Sequence, residues 1–305
     1  MRALLALVVL VAGLVAVPGT AVAAPVVVVN APGCADGPTG GTAQPEATPG
    51  ITRVDFTFAH RVGGRCRTLV TQVRVPTGTT TALPLVLAIH GAAGDPSRLA
   101  PLLDAWASAG YVVAAPTFLK TRKDARGKAL AAEVAQQASD ARFVLDEILD
   151  RADDLDVDDR EVGVAGMSLG GMTVYGLISH TCCRDGRIQA AIVMAGVHDD
   201  FPDGNYVHQE MPVLLIQGDA DIGYHHSRDA YPQLAPPKWF ITLHGERHSP
   251  PFEVPRGKTA VIVDTTTTAF WNRYLKGERP AARQIVQIVG ATEGQATLQR
   301  DLSSG

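Results

Sequence analysis

Apolar positions recur along this chain with two periods, and the changes of period mark its elements. Residues 83–89 and 111–115 are short, nearly continuous apolar runs, the pattern of strands covered on both faces. Between them Leu99, Leu102, Leu103 and Trp106 fall at i, i+3, i+4 and i+7, with Gly110 as a stop, which predicts a helix. Upstream, 54–58 and 68–75 alternate as edge strands do, joined by a turn at Gly63-Gly64. Downstream, Val134, Ala138, Ala141, Leu145 and Ile148 share one face of a helix over 129–149, and a strand at 162–165 leads into a helix over 169–179. Strands at 190–194, 213–216 and 239–243 and a helix over 263–275 complete the series. Strands alternating with amphipathic helices predict an α/β fold, a mostly parallel sheet of about eight strands with helices on both faces. No repeat or linker divides 53–305, so one domain is the economical reading.

The N-terminus breaks this pattern. Residues 1–24 hold one charge, Arg2, then an apolar stretch over 3–17, a helix-breaking Pro18-Gly19, and Ala21-Val22-Ala23-Ala24. These are the three parts of a secretory signal, with cleavage expected near Ala23 or Ala24. The apolar run is shorter than the roughly 20 residues of a spanning helix, so no stable membrane insertion is expected. Residues 25–52, rich in Pro, Gly and Thr, read as an extended arm. Loss of Arg2 leaves 26 of the 27 basic residues against 31 acidic ones, a net charge of -5 instead of -4. That mixed, mildly acidic balance gives no cationic surface for a phosphate backbone and argues against a nucleic-acid partner. Four cysteines suit an oxidising compartment. Sequence leaves three pairings open. Cys34 and Cys66 are placed to close one loop, whereas a bridge between the neighbours Cys182 and Cys183 closes a strained ring, so these two read as free or paired elsewhere.

Chemistry gathers where the predicted strands end. Gly166-Met167-Ser168-Leu169-Gly170, followed by Gly171, joins the strand at 162–165 to the helix over 169–179. A sharp strand-to-helix turn of this kind holds a serine in a strained conformation with its hydroxyl exposed, and it needs small residues where strand and helix close together. Ser168 is therefore the candidate nucleophile, against the plainer reading of a helix-capping serine. A serine hydroxyl needs a base, and the base an orienting carboxylate; in this arrangement they follow in the order acid, histidine. Asp219 and Asp221 stand just past the strand at 213–216, and His244 and His248 past the strand at 239–243. His248 is favoured, since a loop residue several positions beyond the strand reaches back over the sheet edge, whereas His244 sits at the strand terminus.

An oxyanion needs two N–H donors. They are assigned to Leu169, at a helix N-terminus where the dipole adds to the effect, and to Ala92, in the loop His90-Gly91-Ala92-Ala93-Gly94 after the strand at 83–89. His198 with Asp199 and Asp200, and His225-His226 with Asp229, look like metal clusters but read more simply as polar loops. No CxxC spacing or HxxxH helix accompanies the cysteines, and neither a metal nor a cofactor is expected. His180 is read as the end of the helix over 169–179.

With elbow, oxyanion loop, acid and histidine in this order, the chain resembles the α/β-hydrolases over most of residues 54–278. More narrowly it resembles the secreted bacterial esterases related to dienelactone hydrolase and to the cutinase-like polyester hydrolases. The matching stretches are 86–91 with 111–116, Gly166 to Gly171, 214–221 and 270–277. In that pattern the acid is the third residue after the glycine that ends the strand, so the resemblance selects Asp221 over Asp219, and it also selects His248. It implies a cofactor-free carboxylic-ester hydrolase working through an acyl-enzyme.

Departures from the pattern bear on the substrate. Polyester hydrolases of this type usually carry an aromatic residue in the oxyanion loop and beside the nucleophile, where this chain has Ala92 and Met167, and many have a cysteine pair near the C-terminus that this chain lacks. About 16 residues, 196–211, separate two successive strands, which leaves little room for the large helical lid of an interfacial lipase. The expectation is a monomeric, secreted serine carboxylesterase acting on small-molecule or lipid-like esters of short to medium chain. Polyester or lipase activity is the alternative in substrate, and a catalytically silent binding protein on the same fold is the alternative in class.

Overall fold

The structure, a computed structural model, describes residues 26–29 (backbone only), 50–118, 134–198, 201, 205–254 and 257–303. In chain order its strands are β1 (Val26–Val29), β2 (Ile51–Val62), β3 (Arg65–Pro76), β4 (Leu83–Ile89), β5 (Val112–Pro116), β6 (Val157–Met167), β7 (Ile188–Met194), β8 (Val213–Gly218), β9 (Lys238–Leu243) and β10 (Ala296–Asp301). The helices are α1 (Ala100–Ser108), α2 (Val134–Leu149), α3 (Leu169–Ser179), α4 (Tyr224–Ala230), α5 (Pro250–Glu253), α6 (Gly257–Tyr274) and α7 (Ala281–Gly290).

The described strands form one sheet in the order β1-β2-β3-β5-β4-β6-β7-β8-β9-β10. The run from β5 to β9 is parallel, with antiparallel pairs at β2/β3, β3/β5 and β9/β10. β4 shows why the centre reads as a continuous apolar run. All seven of its residues are buried, and they divide by parity: Leu85, Leu87 and Ile89 enter one apolar cluster, Val86 and Ala88 another. The first cluster is closed by α2 and α3, through Ala138, Ala141, Leu145, Val174 and Ile178. The second is closed by α1, α6 and α7, through Leu103, Trp106, Phe270, Trp271 and Ile285. The sheet is thus dry on both sides: α1, α2, α6 and α7 bury one face against it, and α3 is buried all round.

Among the described residues the sheet has ten strands where about eight are expected. β10 is an edge strand with only Ala296 buried, so its apolar alternation is weak. β1 lies inside the segment read as an extended arm and pairs in parallel with β2; residues 1–25 and 30–49 lie outside the described residues. The adjacent cysteines also depart from expectation, because Cys182 and Cys183 are bonded to each other. The chain turns back after α3, with the Cys183 and Arg184 N–H groups both donating to the His180 carbonyl, and this turn brings the two sulfurs together. Cys66 is disulfide-bonded, and Cys34 lies outside the described residues. Among the described residues no helix is long and apolar enough to cross a membrane.

Candidate active site

Strand order opens the site. β5 lies on one side of β4 and β6 on the other, so the connections after these strands diverge, leaving a crevice at their C-terminal ends, where open α/β sheets take ligands. The loop after β4 and the turn between β6 and α3 meet there. A Cβ added to Gly91 would lie 3.1 Å from the Ser168 Cβ.

Ser168 bridges β6 and α3 at φ 57°, ψ -118°, a region that side-chain-bearing residues rarely occupy. Its N–H donates to the Met194 carbonyl on β7 (2.9 Å), and its own carbonyl accepts the Met172 N–H (3.1 Å). Close approach explains the flanking glycines: a Cβ on Gly166 would stand 2.2 Å from the Gly170 carbonyl oxygen, and one on Gly170 would stand 2.2 Å from that of Ile89.

From this turn one hydrogen-bonded line runs across the strand ends. Ser168 Oγ lies 2.8 Å from His248 Nε2, and His248 Nδ1 lies 2.7 Å from Asp221 Oδ2. Asp221 stands past β8 with a nearly inaccessible carboxylate, its side chain 1% exposed, while the His248 side chain is 40% exposed and open to solvent. A carboxylate only accepts, so His248 carries its proton on Nδ1 and offers the Nε2 lone pair to the serine hydroxyl. The other candidate pair bonds within itself. His244 Nδ1 bonds Asp219 Oδ2 at 2.6 Å, the Gly245 N–H donates to Asp219 Oδ1 at 2.7 Å, and the His244 bond holds Asp219 below the usual carboxylate range.

Leu169 is the first residue of α3, where helical geometry leaves the N–H without an internal acceptor. Ala92 is exposed beside Gly91, and Ala93 takes a positive φ of 54°, so the loop turns sharply next to Ser168. His90 fixes the base of that loop and is a residue that sequence reasoning passes over. Its buried ring accepts the Phe118 N–H at Nε2 (3.0 Å), which leaves Nδ1 protonated to donate to the Gly91 carbonyl (2.8 Å). Burial holds His90 below the usual histidine range, so it stays neutral.

His180 is the C-terminal cap of α3. His198 packs its ring edge-to-face against Tyr175, and the rings of His225 and His226 lie 4.1 Å apart on α4. Asp199 and Asp200 lie outside the described residues. Among those described, no group of three or more His, Cys, Asp or Glu side chains is arranged to hold a metal ion.

A doubly wound sheet with helices on both faces, entered at the switch between β4 and β6, defines this molecule as an α/β-hydrolase fold. The sequence profile of the dienelactone hydrolase family matches residues 71–231, more than half of the chain, and the chain belongs to that family of hydrolases. No individual curated protein matches alongside it. The matched span takes in the 90–94 loop, Ser168 and Asp221 and ends before His248.

Proposed function

We propose that this protein is a secreted serine carboxylesterase that acts as a monomer on small-molecule or lipid-like esters of short to medium chain. The observation that carries the reading is the line from Ser168 through His248 to Asp221, with the serine at the strained N-terminus of α3. In this mechanism Ser168 Oγ attacks the ester carbonyl carbon while its proton passes to His248 Nε2. The carbonyl oxygen becomes an oxyanion, held by the Leu169 and Ala92 N–H groups and by the N-terminal end of the α3 dipole. Asp221 keeps the imidazole in the required tautomer and stabilises the imidazolium. Collapse breaks the bond to the alcohol, which leaves with the proton from His248. Water then repeats the sequence on the acyl-enzyme, releasing the carboxylic acid and restoring Ser168.

The short segment between β7 and β8 and the exposed rim at Ala92 and Ile222 favour an open cleft suited to modest acyl groups. The N-terminal sequence pattern, together with bonded cysteines at 66, 182 and 183, favours export to an oxidising compartment. A fluorophosphonate probe is expected to label Ser168, and Ser168→Ala to lower ester turnover by a factor on the order of 10⁴ to 10⁶. A folded protein that the probe leaves unlabelled sinks the reading. A panel of p-nitrophenyl esters of rising chain length should show activity declining beyond medium chains, and sequencing of protein recovered from the medium should find a new N-terminus near residue 25.

A further inference from the structure

Behind the Asp221 carboxylate lies a second line of polar groups that the proposed mechanism does not use. Gln217, on β8, and Ser227, on α4, are both wholly buried. The Ser227 hydroxyl donates to Gln217 Oε1 at 2.6 Å, and Gln217 Nε2 donates to Asp221 Oδ2 at 2.5 Å. That is the same oxygen that accepts the His248 Nδ1–H, while Asp221 Oδ1 accepts the Gly223 N–H at 2.9 Å.

A buried amide persists when both its ends are bonded, and here the partners allow only one sense. The carboxylate accepts and the hydroxyl supplies the donor. Turning the amide over would set its oxygen against a carboxylate oxygen. We infer that Gln217, held in this sense by Ser227, is a positioning residue for the Asp221–His248 pair, fixing the plane of the carboxylate and drawing off part of its charge. The carboxylate oxygen that faces His248 is then shared between two donors, which moderates how strongly the imidazole holds the proton taken from Ser168. The inference rests on the serine-hydrolase reading above. Among the described residues, the other titratable groups near this carboxylate include Tyr224, whose N–H donates to the Asp221 carbonyl, and His226 on α4, the Asp219–His244 pair at the neighbouring strand ends, and Glu246, whose backbone packs on Gly218.

Three variants and two readouts test it. Gln217→Leu should lower kcat about tenfold and move the acid-side half-activity point of kcat/KM upward by about 0.5 to 1 pH unit. Gln217→Glu should resemble the native enzyme at low pH, where a protonated Glu still donates, and lose activity on the alkaline side, where two carboxylates face each other. Ser227→Ala keeps Gln217 but frees its amide, so it should shift the profile in the same direction as Gln217→Leu and by less; it decides the question if Gln217→Leu does not fold. The second readout needs no turnover: the downfield proton resonance of His248 Nδ1–H should shift or broaden in Gln217→Leu and Ser227→Ala. Folded variants that keep both the native pH profile and the native resonance overturn the inference. Failure of the serine reading has a separate signature, native protein unlabelled by fluorophosphonate, and the resonance still decides the positioning role in that case.

Discussion

Ser168 holds a backbone conformation that costs a non-glycine residue about 1–3 kcal/mol, so its neighbours must over-determine it. Met194 fixes its N–H, Met172 its carbonyl, and the absent side chain of Gly170 lets α3 seat against the end of β4. Gly170→Ala would place a methyl 2.2 Å from the Ile89 carbonyl oxygen and 2.8 Å from that of His90, both backbone atoms without a flexible end to yield. It should destabilise the fold by about 3 kcal/mol or more, measured by urea titration, and abolish fluorophosphonate labelling of the molecules that still fold. His90 acts on the other side of the crevice. His90→Leu leaves the Phe118 N–H and the Gly91 carbonyl without their ring partners and releases the loop that carries Ala92. Ester turnover should fall about 10- to 100-fold with a smaller change in KM, the signature of a donor displaced in the transition state. An unchanged kcat would mean that the loop holds its shape without the ring.

At the scale of elements, the β2–β3 hairpin is fastened to α2 by one buried carboxylate. Asp140 accepts from His60 Nε2 (3.1 Å), Gln136 Nε2 (2.9 Å) and the Arg67 guanidinium, and the His60 ring stacks on Phe143 one turn further along the helix. Asp140→Ala strands the Arg67 charge in a half-buried place and should cost about 3 kcal/mol in a denaturant titration; Asp140→Asn, which keeps an acceptor, should recover part of that loss. How legible such elements are depends on where their burial comes from. Leu83–Ile89 and Leu169–Ser179 can be read from sequence to the residue, because a strand dry on both faces and a helix that opens at a glycine turn carry their own signals. β10 does not, since its one buried side chain, Ala296, gains its cover from packing with β9 and α7. In α7 the spacing of Ala281, Ile285 and Val289 is a helical stripe, but it runs over a helix of only 10 residues. The site divides in the same way. The order of serine, acid and histidine segments is visible along the chain, as is the reach that separates His248 from His244. Gln217 is not visible as a partner, because in a strand buried on both faces nothing in the sequence tells which polar residue turns toward the carboxylate, and His90 is not visible because its two partners, the Phe118 N–H and the Gly91 carbonyl, are backbone groups that no side-chain pattern marks.

For the whole molecule, a half-buried carboxyl and a buried imidazole set opposing slopes of stability against pH. Asp264, on α6, borders a groove of about 460 Å³ shared with Asn272 and with Gln284 and Gln287 of α7, and its Oδ1 is enclosed without a hydrogen-bond partner. Burial pushes this carboxyl up to about 6 from its ordinary 3.8. As pH rises from about 4 to about 6, the unfolded chain therefore gives up this proton before the folded one does, and stability falls through that window and stays lower above it. His90 works in the other direction. Burial depresses its folded pKa below the ordinary 6.5, so as pH drops below that value the unfolded chain takes up a proton first and stability falls. Asp264→Asn removes only the first slope. After allowance for screening at a half-exposed site, it should stabilise the protein by about 1 kcal/mol near neutral pH and by almost nothing near pH 4. The variant should consequently lose stability on acidification more steeply than the native protein, since the His90 slope is no longer offset. Urea midpoints at about pH 7.5 and about pH 4 measure both effects. Equal gains at the two pH values would mean that the amide side chain simply packs better in the groove and that the charge of Asp264 carries no cost in the native fold.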